Sequence, residues 1–217
     1  MALAIFDLDD TLIHGDCSTL WSQEMVRLGW VDGEAFMQRD SELMAAYGRG
    51  ELAMEDYMAF SLAPLAGRSA TDVAVLVAGF IEAVIAPAVY QDARETITRH
   101  RAAGDRLLVI SASSAHLVVP IAAYLGIDDV LAIDLELEGG HFNGRTRGVL
   151  TYREGKVLRL MDWLETEGES LEGASFYSDS RNDLPLLGKV SQPRTVNPDP
   201  ALLAHAQQAG WPVLEWG

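Results

Sequence analysis

The chain has 217 residues, 49% of them hydrophobic, which is enough to bury the core of one ordinary domain with a modest insertion and excludes a disordered polypeptide. Its 32 acidic residues against 16 basic ones give a formal net charge of -16, which repels nucleic acid and anionic membranes and leaves neither as an expected partner. A single cysteine, Cys17, excludes an internal disulfide and a zinc–cysteine cluster and reads as a small core residue.

In chain order, the apolar run Leu3 to Leu8 predicts a buried strand that delivers Asp7-Leu8-Asp9-Asp10-Thr11. From residue 15 to residue 86 no strand pattern stands out, and spacings such as Leu20, Met25, Leu28 and Leu43, Tyr47 predict a helical insertion. Tyr90 to Ala103 predicts a helix stopped by Gly104. Arg106 to Ile110 predicts a second strand running into Ser111-Ala112-Ser113-Ser114. A helix over Ala115 to Leu125 and a strand over Val130 to Ile133 follow. Asp134 to Leu150 alternates through Leu135-Glu136-Leu137-Glu138, turns at Gly139-Gly140 and returns through Phe142 and Gly144, the pattern of a projecting hairpin. Gly155 to Thr166 reads as a helix ending before Gly168, and Ser175 to Ser178 as a strand leading into Asp179-Ser180-Arg181-Asn182-Asp183. Arg194 to Asn197 and Val213 to Glu215 extend the sheet.

Strands alternating with helices of these lengths imply right-handed crossovers and a parallel sheet. The predicted class is therefore α/β, a Rossmann-like core over residues 1–14 and 87–217 with a helical cap over 15–86 and a β-hairpin flap. No run approaches the roughly 18–20 apolar residues of a membrane span, and no basic segment precedes the first acidic cluster, so a cytoplasmic protein is expected.

In an open parallel sheet the ligand crevice lies beyond the carboxyl ends of the strands, which is where Asp7, Asp9, Ser111, Asp179 and Asp183 fall. Two like charges about 4 Å apart oppose each other by roughly 4 kcal/mol at an effective dielectric near 20, so converging carboxylates there need a cation. Magnesium suits a few carboxylates plus water and phosphate oxygens. Lys156, placed near a helix start where a cation is electrostatically disfavoured, points to a functional role in neutralising the remaining charge. A calcium-loop reading fails, because Leu12 stands where the loop needs glycine and Arg181 where an oxygen ligand is needed; no Walker-type phosphate loop is present either.

Together these residues resemble the haloacid dehalogenase superfamily of phosphatases, in its phosphoserine phosphatase-like branch. Asp7-x-Asp9-x-Thr11 is similar to that family's first motif, Ser111 to its second, Lys156 to its third and Asp179-x-x-Asn182-Asp183 to its fourth, across essentially the whole chain. The resemblance implies that Asp7 is the nucleophile forming an aspartyl phosphate and Asp9 the general acid and base, with Ser111 and the Ala112 N–H holding phosphoryl oxygens and Lys156 offsetting their charge. It implies Mg2+ bound by the Asp7 side chain, the Asp9 main-chain carbonyl and Asp179, with Thr11, Asn182 and Asp183 supporting from behind, while Asp10 reads as a turn cap.

The cap sets the substrate, because the core sees only phosphate. In phosphoserine phosphatases an acidic residue nine positions after the nucleophile meets the substrate amine and a cap arginine meets its carboxylate. Asp16 keeps the first, but Tyr57-Met58-Ala59-Phe60-Ser61 stands where the arginine is expected, with Arg49 or Arg68 as substitutes from elsewhere. Histidinol phosphate, which has an amine and no carboxylate, ranks first, and phosphoserine or transfer to another alcohol is the alternative. An inactive acidic binding module is the reading from another class. Trp21, Met25, Met54, Tyr57 and Phe60 are candidate pocket residues that read equally as cap core, and His14 and His141 are candidates at the opening. Gly15 and Ala86-Pro87 bracket the insertion as expected hinges.

Overall fold

In a computed structural model that describes residues 2–217, seven strands form one sheet in the order β4-β3-β2-β1-β5-β6-β7. They are β1 (Leu3–Phe6), β2 (Arg106–Ser114), β3 (Asp129–Glu138), β4 (His141–Arg147), β5 (Ser175–Ser178), β6 (Gln192–Val196) and β7 (Val213–Leu214). All neighbours run parallel except β3 and β4, which form the expected hairpin. The central strand β1 has β2 on one side and β5 on the other, so the order switches direction beside it and opens a crevice at the carboxyl ends of all three.

Alternation along the strands divides the core. Ala4 and Phe6 of β1 pack with Leu107 and Val109 of β2 on one face, and Leu3 and Ile5 pack with Leu108, Ile110 and Phe176 on the other. Burying each large side chain of this kind stabilises the fold by about 1.5–3 kcal/mol.

Between β1 and β2 lie the helices α1 (Cys17–Arg27), α2 (Gly33–Arg49), α3 (Met54–Leu62) and α4 (Ala70–Ala88). Asp16 caps α1 by accepting from Thr19 N at 2.8 Å, and α2 stops at Gly50, whose φ of 71° suits glycine. The helix α4 carries a π turn at Ile81–Ile85 and is, by length and composition, long and apolar enough to cross a membrane, with a mean hydropathy of 1.8. That corrects the expectation that no such stretch exists. The helix buries Val73, Val77, Phe80, Ile81 and Ile85 against the core and exposes Asp72 and Glu82, the pattern of a core-packing helix.

The longer helices outside the insertion, α5 (Gln91–Ala102), α6 (Ala115–Tyr124), α7 (Glu154–Glu167) and α8 (Pro200–Ala209), flank the sheet as the crossover pattern requires. The second strand continues four residues past its predicted end, with a register shift between Ile110 and Ser114. The hairpin is bonded to the cap through its backbone: Gly67 N donates to Phe142 O at 2.8 Å, Phe142 N to Arg68 O at 3.0 Å and Ala70 N to Gly140 O at 2.9 Å.

Candidate active site

Beyond Phe6 the chain leaves β1 in a tight turn in which the Leu8 carbonyl accepts from the N–H groups of Thr11, Leu12 and Ile13. Asp10, at φ 51°, accepts from Gly15 N through its side chain at 2.8 Å and so closes the turn, as expected of a cap. The turn presents Asp7 and Asp9 to a cavity of about 220 Å3 that is also lined by Asp10, Ala112, Ser113, Asp179, Ser180 and Asp199 from the core side and by Asp16, Met44, Tyr47, Leu52, Met54 and Tyr57 from the cap.

Lys156 lies on the first turn of α7 and is 1% exposed. Its ammonium donates to Asp7 Oδ1 at 2.9 Å and to the Asp183 carboxylate at 2.8 Å, and Ser178 Oγ donates to Asp183 at 2.7 Å. Asp183 therefore aims the lysine at Asp7. Burial works to lower the ammonium's pKa, but Asp183 and Asp7 outweigh it and hold Lys156 charged. Thr11 ties two strand ends together: its hydroxyl donates to Asp179 Oδ1 at 3.0 Å and accepts from Asp179 N at 3.0 Å.

The Asp9 carboxylate is turned toward the first cap helix. It accepts from Cys17 N at 2.7 Å, from Ser113 Oγ at 2.8 Å and from Ser111 Oγ at 3.2 Å. Among the described residues no three side chains of His, Cys, Asp or Glu converge to hold a metal, and the Asp9 carboxylate is engaged with Cys17 N and the two serines instead. Two carboxylates at the cavity that remain free of such contacts with the cap helix, and that a cation there would meet, are those of Asp7 and Asp179.

The electrostatics fit such an ion. Burial, against the opposing pull of Lys156 and with Asp183 and Asp9 adding to it, pushes Asp7 up to about 7. Asp179 is held well above the carboxylate range by burial and then by Asp7 and Asp10, and Asp16 by burial and Asp9. One lysine does not balance this much negative charge.

Ser111 is buried with its hydroxyl between Asp9 and Ser113 N, which donates to it at 3.0 Å; it is Ser113, not Ser111, that reaches the cavity wall beside Ala112. Asn182 does not face the carboxylates. Its amide donates to Tyr47 O of α2 at 3.1 Å while its oxygen accepts from Arg153 Nε at 3.1 Å and Tyr152 at 3.3 Å, and Arg153 also donates to Gly50 O. This polar clasp between the cap and the loop after β5 is the largest feature that residue spacing missed. Arg153 sits at φ 50°, a backbone state that only the fold reveals.

Of the pocket candidates, Met54 and Tyr57 line the cavity. Trp21 and Met25 are core, with Trp21 edge-on to Phe80, and Phe60 stacks on Phe36. His14 is exposed and bonded to the Tyr90 hydroxyl, and His141 is exposed on the hairpin; neither lines the cavity. Arg49 pairs with Glu51, and Arg68 lies over the Trp30 ring and donates to Pro64 O, so neither replaces the absent cap arginine.

Residues 4–188 match the family model for haloacid dehalogenase-like hydrolases. The chain is 38% identical over 218 residues to the histidinol-phosphatase of Neisseria meningitidis serogroup C, covering 99% of this chain and 98% of that protein. It is 28% identical to a phosphoserine phosphatase of Mycobacterium tuberculosis, covering 99% of this chain and 71% of that one. Among solved structures, a protein of unknown function from Bordetella pertussis Tohama I superposes with a TM-score of 0.91 at 37% identity, covering 98% and 97% of the two chains. A substrate-bound phosphoserine phosphatase superposes with a TM-score of 0.73 at 20% identity, covering 98% and 92%, which is a likeness of fold.

Proposed function

The chain belongs to the haloacid dehalogenase-like hydrolase family, and on that premise we propose that it is a magnesium-dependent phosphomonoesterase acting through an aspartyl phosphate on histidinol phosphate. A magnesium ion held by Asp7, Asp179 and the Asp9 main-chain carbonyl would supply the positive charge that lets a phosphate dianion approach these carboxylates.

The chain's own residues carry the rest. An Asp7 oxygen bonds to phosphorus as the ester P–O bond breaks, and Asp9 gives its proton to the departing alkoxide. Asp9 then takes a proton from water, the water oxygen bonds to phosphorus, and the bond from Asp7 to phosphorus breaks to release inorganic phosphate. Both carboxyl groups return to their starting states. Lys156, held by Asp183, favours the ionised form of Asp7 against burial and offsets charge on the transferring oxygens, and Ala112 and Ser113 bound the space they occupy. The contacts of Asp9 with Cys17 N and Ser113 hold it at the cavity wall between the two proton transfers.

The observation that carries the substrate reading is the composition of the wall: six aspartates, Asp16 among them, and no lysine or arginine. A substrate carboxylate finds no cation there, whereas an amine finds Asp16. The full-length likeness to a histidinol-phosphatase supports the same choice. Turnover of histidinol phosphate and phosphoserine, each with magnesium and with chelator, tests it. Phosphoserine cleaved about tenfold or more efficiently than histidinol phosphate rejects the substrate; undiminished turnover in chelator rejects the metal. Added serine or glycerol appearing as a phosphorylated product identifies transfer instead of hydrolysis.

A further inference from the structure

A phosphoryl group in transfer needs hydrogen donors on its oxygens, and the cavity wall is poor in them. Its side-chain donors are the hydroxyls of Tyr47, Tyr57, Ser113 and Ser180. Ser113 gives its hydrogen to Asp9 at 2.8 Å while accepting from Ser18, and the Tyr57 hydroxyl is turned to Ser18 behind the wall, out of solvent contact. That leaves Ser180, whose oxygen accepts from Asn182 N at 3.2 Å, and Tyr47.

Tyr47 is the donor of this pair that the cap supplies, and it is fixed at both ring and backbone. Its ring packs against Tyr152 with centroids 5.7 Å apart. Its main-chain oxygen accepts from the Asn182 amide at 3.1 Å, and Asn182 precedes the Asp183 that aims Lys156. The phenol lies toward the carboxylates: burial, then Asp7, Asp183 and Asp179 push it well above its usual range, with Ser180 pulling the other way. It therefore keeps its proton beside the nucleophile, where a neutral donor assists an incoming phosphate and a further anion would repel it.

We propose that the Tyr47 hydroxyl donates a hydrogen bond to a non-bridging oxygen of the phosphoryl group in transfer, which makes it a catalytic residue delivered by the cap. This rests on the phosphatase reading above and deepens it. The chemistry is then complete only when the cap is seated, and the bond from Asn182 to α2 is part of what seats it.

The test compares wild type with Tyr47→Phe, in magnesium, on histidinol phosphate, phosphoserine and p-nitrophenyl phosphate, with orthovanadate as a binding probe that mimics five-coordinate phosphorus. The phosphoryl group is common to the esters, so kcat/KM should fall by one factor, about tenfold or more, on every ester that wild type cleaves. Orthovanadate should bind more weakly by a similar factor. Phenylalanine keeps the ring against Tyr152 and the main-chain oxygen for Asn182, so Tm should stay at the wild-type value. Turnover within about twofold of wild type on all esters overturns this inference alone. A loss confined to one ester also overturns it, by assigning the phenol to the rest of the substrate. So does a loss on every ester with orthovanadate affinity intact, which assigns the phenol to seating the cap. Wild type that cleaves none of the esters overturns the phosphatase reading, and this inference with it.

Discussion

Removing the Lys156 ammonium should be among the most damaging single changes in the molecule. Its nitrogen lies 2.9 Å from Asp7 and 2.8 Å from the Asp183 carboxylate, and all three side chains are almost wholly buried. Each contact is worth about 6 kcal/mol of Coulomb attraction at an effective dielectric near 20, most of it offset by the cost of desolvating the charges. Lys156→Met keeps much of the aliphatic stem and leaves two buried carboxylates uncompensated, a change that costs about 3–5 kcal/mol in comparable pairs. For a chain of this length that corresponds to a fall in Tm of roughly 6–20 °C. Adding Asp183→Asn to Lys156→Met removes one of the stranded charges, so the double variant should be more stable than Lys156→Met alone, although Asp183→Asn by itself is destabilising. Urea unfolding of the four proteins in chelator measures the cycle. A cost below about 1 kcal/mol for Lys156→Met, or simple additivity in the double variant, refutes the reasoning.

Three further predictions concern Asp7, His116 and Gly50. Asp7 is raised to about 7, so its contribution to stability is present when it is protonated and is lost as pH rises through 7; magnesium, which needs the ionised form, should therefore raise Tm more at pH 8 than at pH 5.5, and a shift independent of pH counts against the ion sitting on Asp7. Burial pushes His116, a half-buried residue whose Nε2 is out of solvent contact, down to about 3; stability held above its unfolded pKa is lost as pH falls, by about 2 kcal/mol between pH 6.5 and 5, and His116→Phe should abolish that part of the slope in urea titrations. Gly50→Ala must both adopt φ +71 and displace Arg153 Nη2, which would lie 2.7 Å from the new Cβ, whereas Gly67→Ala at φ +79 meets nothing within 4 Å. Both should lose about 1–2 kcal/mol to backbone strain, and only Gly50→Ala should lose more; equal losses sink the clasp as a source of stability.

The sheet and the convergence of acids were legible because they are written locally. Asp7, Ser111 and Asp179 each follow an apolar run, and a strand end is recognisable without knowing its neighbours. Ser175–Ser178 is found where the pattern puts it, and the hairpin at Gly139-Gly140 likewise. What escaped depends on partners far along the chain. Asn182 reads as one more polar residue of an acidic motif until Tyr47, 135 positions away, is seen to accept its amide. The exchange of Ser111 for Ser113 at the cavity wall needs the prolonged, register-shifted end of β2, which no spacing rule signals. Cap residues such as Trp21 and Tyr57 have the same apolar character in sequence, and only tertiary packing sends one into the core and the other to the cavity.

The three backbone hydrogen bonds joining residues 67–70 to the hairpin have a consequence for how ligands come and go. They stitch one part of the lid to an arm of the central sheet through main-chain bonds, whereas Tyr47 and Gly50 are tied to the core by the side chains of Asn182 and Arg153. A lid fastened along one border is expected to lift at the other, so a bulky residue placed at the C-terminal end of α2 is expected to slow exchange of small molecules, read as a lower kcat with the carboxylates untouched, and an unchanged rate counts against such lifting.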